Sequence, residues 1–288
     1  MTDQTQPRTT VVIPVWDGYV ALRFNQALAS IAAQDLPVAI LVVDNASHVP
    51  LPQVAGARVI RTPARVSLGA ARNLGLDHVE TETVVFADAD DLILPGAIQR
   101  LQRGLDDDPD LVAFAMPFLD AATGERHRWP RPWIANLVRF PTLLALLNAV
   151  WAVYPITGPV LIRTESARAV GGHADVDNGD ARCLGAALLF RGRVGWTEEP
   201  GCVYHQRPGS NLERFSGAHA ILDSSRAVRE RLRSDFGGPT WLTRALPVVA
   251  AAQWAAVAGH LLVALRRRRG RQAQAFSGSS GHTPRTGT

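Results

Sequence analysis

Lysine is absent from this chain: all 30 basic residues are arginine. The bias reads mainly as genome composition, although arginine also suits bidentate binding of phosphate. Cysteine is nearly absent. Cys183 and Cys202 are too few for a disulfide framework, and they fit a reduced compartment. Charged residues make up only 19% of the chain, which argues against bulk disorder. The opening "MTDQTQPRTT" has no apolar core of the secretory type, so no signal peptide is expected. No G-x-G-x-x-G follows the first predicted strand, which disfavours a dinucleotide oxidoreductase. Neither G-x-S-x-G nor H-E-x-x-H occurs. The net charge is +4, but a good part of the positive charge sits in "RRRRGR" near the end, so no nucleic-acid partner is expected. No internal repeat is visible.

What is present is apolar and regularly punctuated. The 288 residues are 47% hydrophobic, enough for one large core or two small domains. "TVVIPV", "VAILVVDNAS", "ARVIRTP" and "TVVFADADD" read as strands. Between them, "ALRFNQALASIAAQ" carries Leu22, Leu28 and Ile31 at helical spacing, and "SLGAARNLGLDHV" opens on a serine in N-cap position. Strands alternating with helices predict an α/β chain with an open, mostly parallel sheet flanked by helices. Further on, "GPVLIR" and the region "RVGWTEEPGCVYHQ" look like strands. "CLGAALLFRG" and an Arg-rich amphipathic stretch at 218–236 look like helices.

In such sheets ligands bind beyond the carboxyl ends of the strands. Pro14 to Asp17, Asp44 to Ser47 and Asp88 to Asp91 each follow a strand directly. The third group crowds three carboxylates at one strand end, where like charges repel. A divalent cation with oxygen ligands relieves that repulsion, since Mg²⁺ typically takes one or two carboxylates plus substrate phosphates and water. The competing reading of Asp88-x-Asp90 is an acidic helix start.

Taken in order, these segments resemble a family 2 glycosyltransferase of the GT-A fold. The matching pieces are "VVIPVWDG", "ALASIAAQ" with Ser30 and Gln34, "VVDNAS", "SLGAARNLGL", "FADADD", "AVGGHAD", "NGDARCLGAALLFRGRVGW" and "VYHQRPGSNLER", covering about residues 9–215. The resemblance implies transfer of a sugar from a nucleotide-diphosphate donor, with a UDP-sugar favoured, to a glycan, lipid or small-molecule acceptor. It implies Mg²⁺ or Mn²⁺ as cofactor, inversion at the anomeric carbon, and a setting in cell-envelope or natural-product glycosylation. Pro14, Val15 and Asp17 are then expected in the nucleotide pocket, with Trp16-Asp17 where the family more often has an aromatic-Asn pair. Asp44, with Ser47 beside it, would accept hydrogen bonds from uracil or ribose; the alternative for Asp44 is a turn. Arg72 and Asn73 would face the diphosphate; the alternative is a solvated helix face. Asp88 would touch ribose or metal, and Asp90 the metal. His205 is a further candidate metal ligand, and Arg207 a candidate diphosphate contact. Cys202-x-x-His205 lacks the second pair that a zinc site needs.

Proton abstraction from the acceptor needs a general base. The family usually shows Glu-Asp before a helix, whereas this chain has Gly179-Asp180. Asp180 is the candidate base; its alternative is an N-cap for "ARCLGAALLF".

The expected organisation is a polar N-terminus (1–8) and a GT-A domain (9–217), divided into a nucleotide-sugar half (9–110) and an acceptor half (111–217). A helical C-terminal extension (218–269) and a disordered tail (270–288) follow. Residues 246–265 are apolar and of membrane-relevant length. Contact with a membrane surface ranks first for them, packing on the domain second and a true span third. The expected location is cytoplasmic, with that segment at the inner face of the cell membrane. Two rival functions stay open. A sugar nucleotidyltransferase would require an early Gly-rich basic loop, which "IPVWDGYVALR" lacks. A non-catalytic carbohydrate-binding relative would have no need to keep Asp88, Asp90 and Asp180 together.

Overall fold

The computed structural model describes residues 6–20, 23–52, 56–126, 134, 136–150, 159–205, 218–234, 241 and 244–255. Arg207, the "RRRRGR" run and the expected tail at 270–288 lie outside the described residues.

The strands are β1 (Thr9–Val15), β2 (Val38–Asp44), β3 (Ala57–Arg61), β4 (Thr83–Phe86), β5 (Leu92–Ile93), β6 (Leu111–Ala115), β7 (Phe118–Asp120), β8 (Val160–Arg163), β9 (Arg193–Trp196) and β10 (Cys202–Tyr204). The helices are α1 (Asp17–Val20), α2 (Phe24–Ala32), α3 (Leu68–Asp77), α4 (Ala97–Asp106), α5 (Pro141–Asn148), α6 (Thr164–Ala169), α7 (Asp180–Leu188) and α8 (Ala218–Ser234). Residues 244–255 form a further helical segment.

Seven strands make one sheet in the order β3-β2-β1-β4-β8-β6-β9. β1 is parallel to β2 and β4, and β2 to β3. β8 runs antiparallel to β4 and β6, so the all-parallel half gives way to a mixed half. A smaller sheet, β5-β10-β7, stands beside it.

All seven residues of β1 are buried, as its unbroken apolar sequence requires for a strand covered on both faces. Val11, Ile13 and Val15 pack with Phe24, Leu28 and Ile31 of α2 and with Ile98, Leu101 and Leu105 of α4. Val12 points the other way, into a core shared with Leu76 of α3, Leu184 of α7 and Val228 and Leu232 of α8. The period-two alternation of a strand thus divides two helical layers.

α8 and the 244–255 segment are built into the second core, to which Leu246 also belongs. Together with α7 they are tied to the C-terminus of α5, whose last carbonyls have no partners within the helix. Arg182 Nε donates to the Asn148 carbonyl at 2.7 Å, Arg229 Nη1 to that of Ala149 at 3.1 Å and Gln253 Nε2 to that of Val150 at 3.2 Å. Cations suit this negative end of the helix dipole. Burial, with Arg229 nearby, pulls the Arg182 guanidinium down to about 10. Among the described residues, no helix is long and apolar enough to cross a membrane. The second part of the candidate segment, 256–265, lies outside them.

Candidate active site

Parallel pairing decides where the polar residues meet. Val15 pairs with Asp44, and Val12 with Phe86, so the carboxyl ends of β1, β2 and β4 open on one rim.

At the β1 and β2 ends the carboxylates are already engaged. Asp17 Oδ1 accepts from the backbone of His48 at 2.6 Å and of Val49 at 2.9 Å, and Oδ2 lies 2.8 Å from His48 Nδ1. The Val49 amide and the His48 side chain together hold the Asp17 carboxyl below its ordinary value. Asp44 is buried, accepting from Arg61 Nη1 at 2.6 Å and from the Ser47 amide at 2.9 Å. The turn role is therefore present, and Arg61 is an added partner. Ser47 Oγ is buried and has no hydrogen-bond partner. Pro14 and Val15 are enclosed in β1; the Val15 side chain joins the core and its carbonyl accepts from the Asn45 amide at 2.8 Å. Trp16 is half-buried, with the Arg65 guanidinium 3.8 Å above its ring.

α3 carries the central residue. Its N-terminus is capped by Ser67, whose Oγ accepts from the Ala70 amide at 3.1 Å. The loop before α7 closes over that end: Asp177 Oδ1 accepts from the Leu68 amide at 2.9 Å, and Asp175 Oδ1 from Ser67 Oγ at 2.5 Å. Such close approach requires glycine at position 69, where a Cβ would stand 1.7 Å from the Ala174 carbonyl oxygen. One turn further, Arg72 is buried rather than solvated. Its Nη1 donates to Asp180 Oδ2 and its Nη2 to Asp88 Oδ1, both at 2.6 Å. One guanidinium thus joins the strand-end carboxylate to the candidate base.

Asp180 is the first residue of α7, but the N-cap is Gly179, in the left-handed region at φ +86°, with no side-chain cap. The Asp180 carboxylate turns inward instead. His173 Nδ1 stands 2.8 Å from the same Oδ2 that Arg72 holds. Burial works against its charge, but Arg72 and then His173 outweigh burial and hold the carboxyl well below the usual carboxylate range. Asn73 is turned toward the same loop: its Nδ2 donates to the His173 carbonyl at 2.8 Å, and its Oδ1 accepts from the His173 amide at 2.7 Å. Both polar ends of Asn73 are therefore occupied within the protein.

Asp88, Asp90 and Asp91 share the turn after β4. Asp88 is 44% exposed and Asp90 is buried. Burial first, and then Asp88 and Asp90, push the Asp91 carboxyl well above its ordinary value. Burial is the larger cause, and the repulsion expected of the crowded group adds to it. Antiparallel pairing of β10 with β5 brings His205 alongside, its amide donating to Asp91 Oδ1 at 3.3 Å. His205 Nδ1 is buried with no hydrogen-bond partner; burial, then Arg23, lowers the ring's affinity for a proton. Among the described residues, no three His, Cys, Asp or Glu side chains converge tightly enough to hold a metal by themselves. Two carboxylates with excess negative charge do fit a cation that takes its other ligands from substrate phosphates and water. Cys202 is buried and free, as expected of a small apolar side chain rather than a zinc ligand.

The structure thus joins Asp88 and Asp180 through Arg72, keeps Asp90 in the same turn as Asp88, and brings the His205 amide to Asp91 in that turn. Asp17, Asp44 and Ser47 form a second group along the same rim. His173, Arg61 and Arg65 were not singled out from sequence. The signal for His173 was its place directly after Gly171-Gly172.

The architecture is that of the GT-A glycosyltransferases. TarS from S. aureus, solved as residues 1–349 in complex with UDP-GlcNAc, superposes with a TM-score of 0.62 at 13% identity, over 86% of this chain and 71% of that one. The mannosyltransferase PcManGT from Pyrobaculum calidifontis, in complex with GDP-Man and Mn²⁺, superposes with a TM-score of 0.58 at 22% identity, over 93% and 81%. At these identities the likeness establishes the fold. No curated protein matches the sequence. The family model described as glycosyl transferase family 2 matches residues 10–169, more than half of the chain, and the protein belongs to that family.

Proposed function

We propose that the protein moves a sugar from a nucleotide-diphosphate donor, with a UDP-sugar favoured, to an acceptor hydroxyl with inversion at the anomeric carbon. The observation that carries this reading is the double ion pair of Arg72 with Asp88 and Asp180. It sets the candidate base one guanidinium away from the strand end where diphosphate and cation are expected.

In this reading Asp44 and Ser47 hold the nucleoside, and Arg72 offers positive charge to the diphosphate side. Asp180 accepts the proton of the acceptor hydroxyl as its oxygen forms a bond to the anomeric carbon. The bond from that carbon to the diphosphate breaks, and the electron pair leaves with the nucleoside diphosphate. Asp90 and Asp88, with His205 beside them, would hold Mg²⁺ or Mn²⁺, which when bound supplies Lewis-acid stabilisation of the leaving group. Arg207 is a further candidate contact for the diphosphate. The catalytic side chain needs no high pKa, because the acceptor hydroxyl becomes acidic as its oxygen bonds to carbon.

The test is turnover of a donor panel, UDP- and GDP-sugars, with and without Mn²⁺. Nucleoside diphosphate release that is lost in Asp180→Asn supports the proposal. Triphosphate consumption with pyrophosphate release would make the protein a nucleotidyltransferase, and glycan binding without turnover would make it a non-catalytic relative.

A membrane surface is the proposed setting. Val248 and Trp254 of the 244–255 segment are 71% and 62% exposed, whereas Leu246 and Gln253 of the same segment are buried. From residue 236 onward the sequence has seven Arg and no Asp or Glu, whereas the 23 Arg and 26 acidic residues before it leave the rest at −3. An apolar helix face next to concentrated positive charge fits anionic lipid. Sedimentation with phosphatidylglycerol vesicles, but not with phosphatidylcholine vesicles, is expected, and it should weaken in Trp254→Glu. Equal recovery with both vesicles would refute this setting.

A further inference from the structure

His173 is a buried titratable side chain that the proposed reaction leaves without a role, and its surroundings are unusually determined. Its backbone is clamped at both polar groups by Asn73. Gly171 and Gly172, at φ +73° and +67°, turn the chain into that position, and a Cβ on Gly172 would stand 2.3 Å from Asn73 Oδ1. Its ring meets Phe86 edge-on, with centroids 4.4 Å apart and planes at 83°. Phe86 ends β4, two residues before Asp88. Three elements of the site therefore fix one imidazole.

The contacts on Asp180 are asymmetric. Arg72 Nη1 at 2.6 Å and His173 Nδ1 at 2.8 Å both approach Oδ2. Oδ1 accepts no hydrogen bond among the described residues, yet it is not among the fully enclosed unpartnered atoms. Both ring nitrogens of His173 are enclosed: Nδ1 lies 2.8 Å from Oδ2 but out of line for a well-formed hydrogen bond, and Nε2 has no hydrogen-bond partner. A neutral ring with its proton on Nδ1 suits the short Nδ1–Oδ2 distance, since it sets a donor rather than a second lone pair against the carboxylate.

We propose that His173 is a positioning residue for the proton-accepting carboxylate: with Arg72 it holds Oδ2 of Asp180 and so presents Oδ1 to the acceptor hydroxyl. This rests on the glycosyl-transfer reading. The charged groups facing the ring are Asp180 from α7, Arg72 from α3 and Arg231 from α8. Burial first lowers the ring's proton affinity; Asp180 opposes this, and the two arginines reinforce it. A neutral donor orients the carboxylate without cancelling its charge, whereas an imidazolium would weaken the base. His173 therefore stays neutral below the pH at which a free imidazole takes up its proton, and its role is lost only as the pH falls toward the lowered folded value.

The experiment compares His173→Phe, which keeps a ring against Phe86 but has no donor, with His173→Asn, whose amide nitrogen replaces Nδ1. Donor hydrolysis with water as acceptor is followed for UDP-GlcNAc and GDP-mannose as a function of pH. A lost hydrogen bond to a charged group predicts a kcat lower by about ten- to a hundredfold in His173→Phe. The donor KM should stay near the wild-type value, the acid limb of the pH profile should move, and His173→Asn should recover most of the rate. Wild-type kcat and an unchanged acid limb in His173→Phe would overturn the proposal, as would equal impairment of both variants. If His173→Phe fails to fold, ¹⁵N spectra of the wild-type imidazole decide. They should report a proton on Nδ1 and a ring pKa that falls further in Asp180→Asn; a proton on Nε2 or an unmoved pKa would refute the contact. A wild-type protein inactive on every donor would sink the glycosyl-transfer reading, while the spectra still test the His173–Asp180 contact on its own.

Discussion

Arg72 Nη1 and Asp180 Oδ2 are 2.6 Å apart, although 108 residues separate them in the chain. Both side chains are more than nine-tenths buried, so each charge depends on the other for its solvation. Arg72→Ala leaves Asp180 buried without its cation and is expected to cost about 3–5 kcal/mol of stability. Urea unfolding measures it. In the Arg72→Ala/Asp180→Asn double variant the loss should be smaller than the sum of the singles, because the second change removes the stranded charge.

Gly69 is where α3 touches the loop that leads to Asp180. Gly69→Ala drives a Cβ into the Ala174 backbone, which cannot rotate aside. We expect a loss of about 1–3 kcal/mol, seen as a lower Tm, together with a lower kcat as the loop is displaced.

Asn73→Ala leaves a buried amide and carbonyl of His173 without partners. The expected cost is about 2–3 kcal/mol by chemical denaturation. Asn73→Asp, which keeps the acceptor and loses the donor, should fall between this variant and wild type.

Stability should depend on pH through His173. Its folded pKa is lowered, chiefly by burial, from the ordinary value of 6.5. Between the two values the unfolded chain binds more protons, so stability is present above about 6.5 and declines as the pH falls toward the folded value. The unfolding free energy measured from pH 7.5 to 5.5 should drop in the wild type and be flatter in His173→Phe; parallel curves would refute the assignment. Asp180 has the same sign but a lower window: its contribution is lost only as pH falls below the ordinary 3.8 toward a still lower folded value.

Chelation tests the carboxylate turn. EDTA should abolish donor turnover by the wild type, and Mn²⁺ should restore it. Asp90→Ala should stay inactive with Mn²⁺ present while unfolding as a native-like cooperative domain. Full activity in EDTA would show that the crowding of Asp88, Asp90 and Asp91 has another purpose.

Much of the nucleotide-side architecture was legible in the residue order. The β-branched run at Thr9–Val15 called for a strand buried on both faces, and it is one. Ser67 read as an N-cap, and it caps α3. These are local signals, carried by periodicity and by side chains that bond to backbone a few residues away. The alternatives drawn for Arg72 and Asp180 show the limit. A solvated helix face and a helix cap were reasonable readings of each residue alone, and neither describes the structure, because each residue is the other's partner. The two capping arginines of α5 were invisible for the same reason: Arg182 and Arg229 lie on or beside stretches that read as helices, and neither pattern names a partner on α5.

The sequence by itself determined the alternation of strands and helices, the collection of acidic residues at strand ends and the serine cap of α3, since these follow from spacing and local chemistry. Only the tertiary structure decided which oxygen of Asp180 is held, that Asn73 serves the His173 backbone, and that Arg61 reaches Asp44. Those outcomes depend on distances between segments far apart in the chain, set by sheet register and by the packing of α3 against α7, and no local pattern records them.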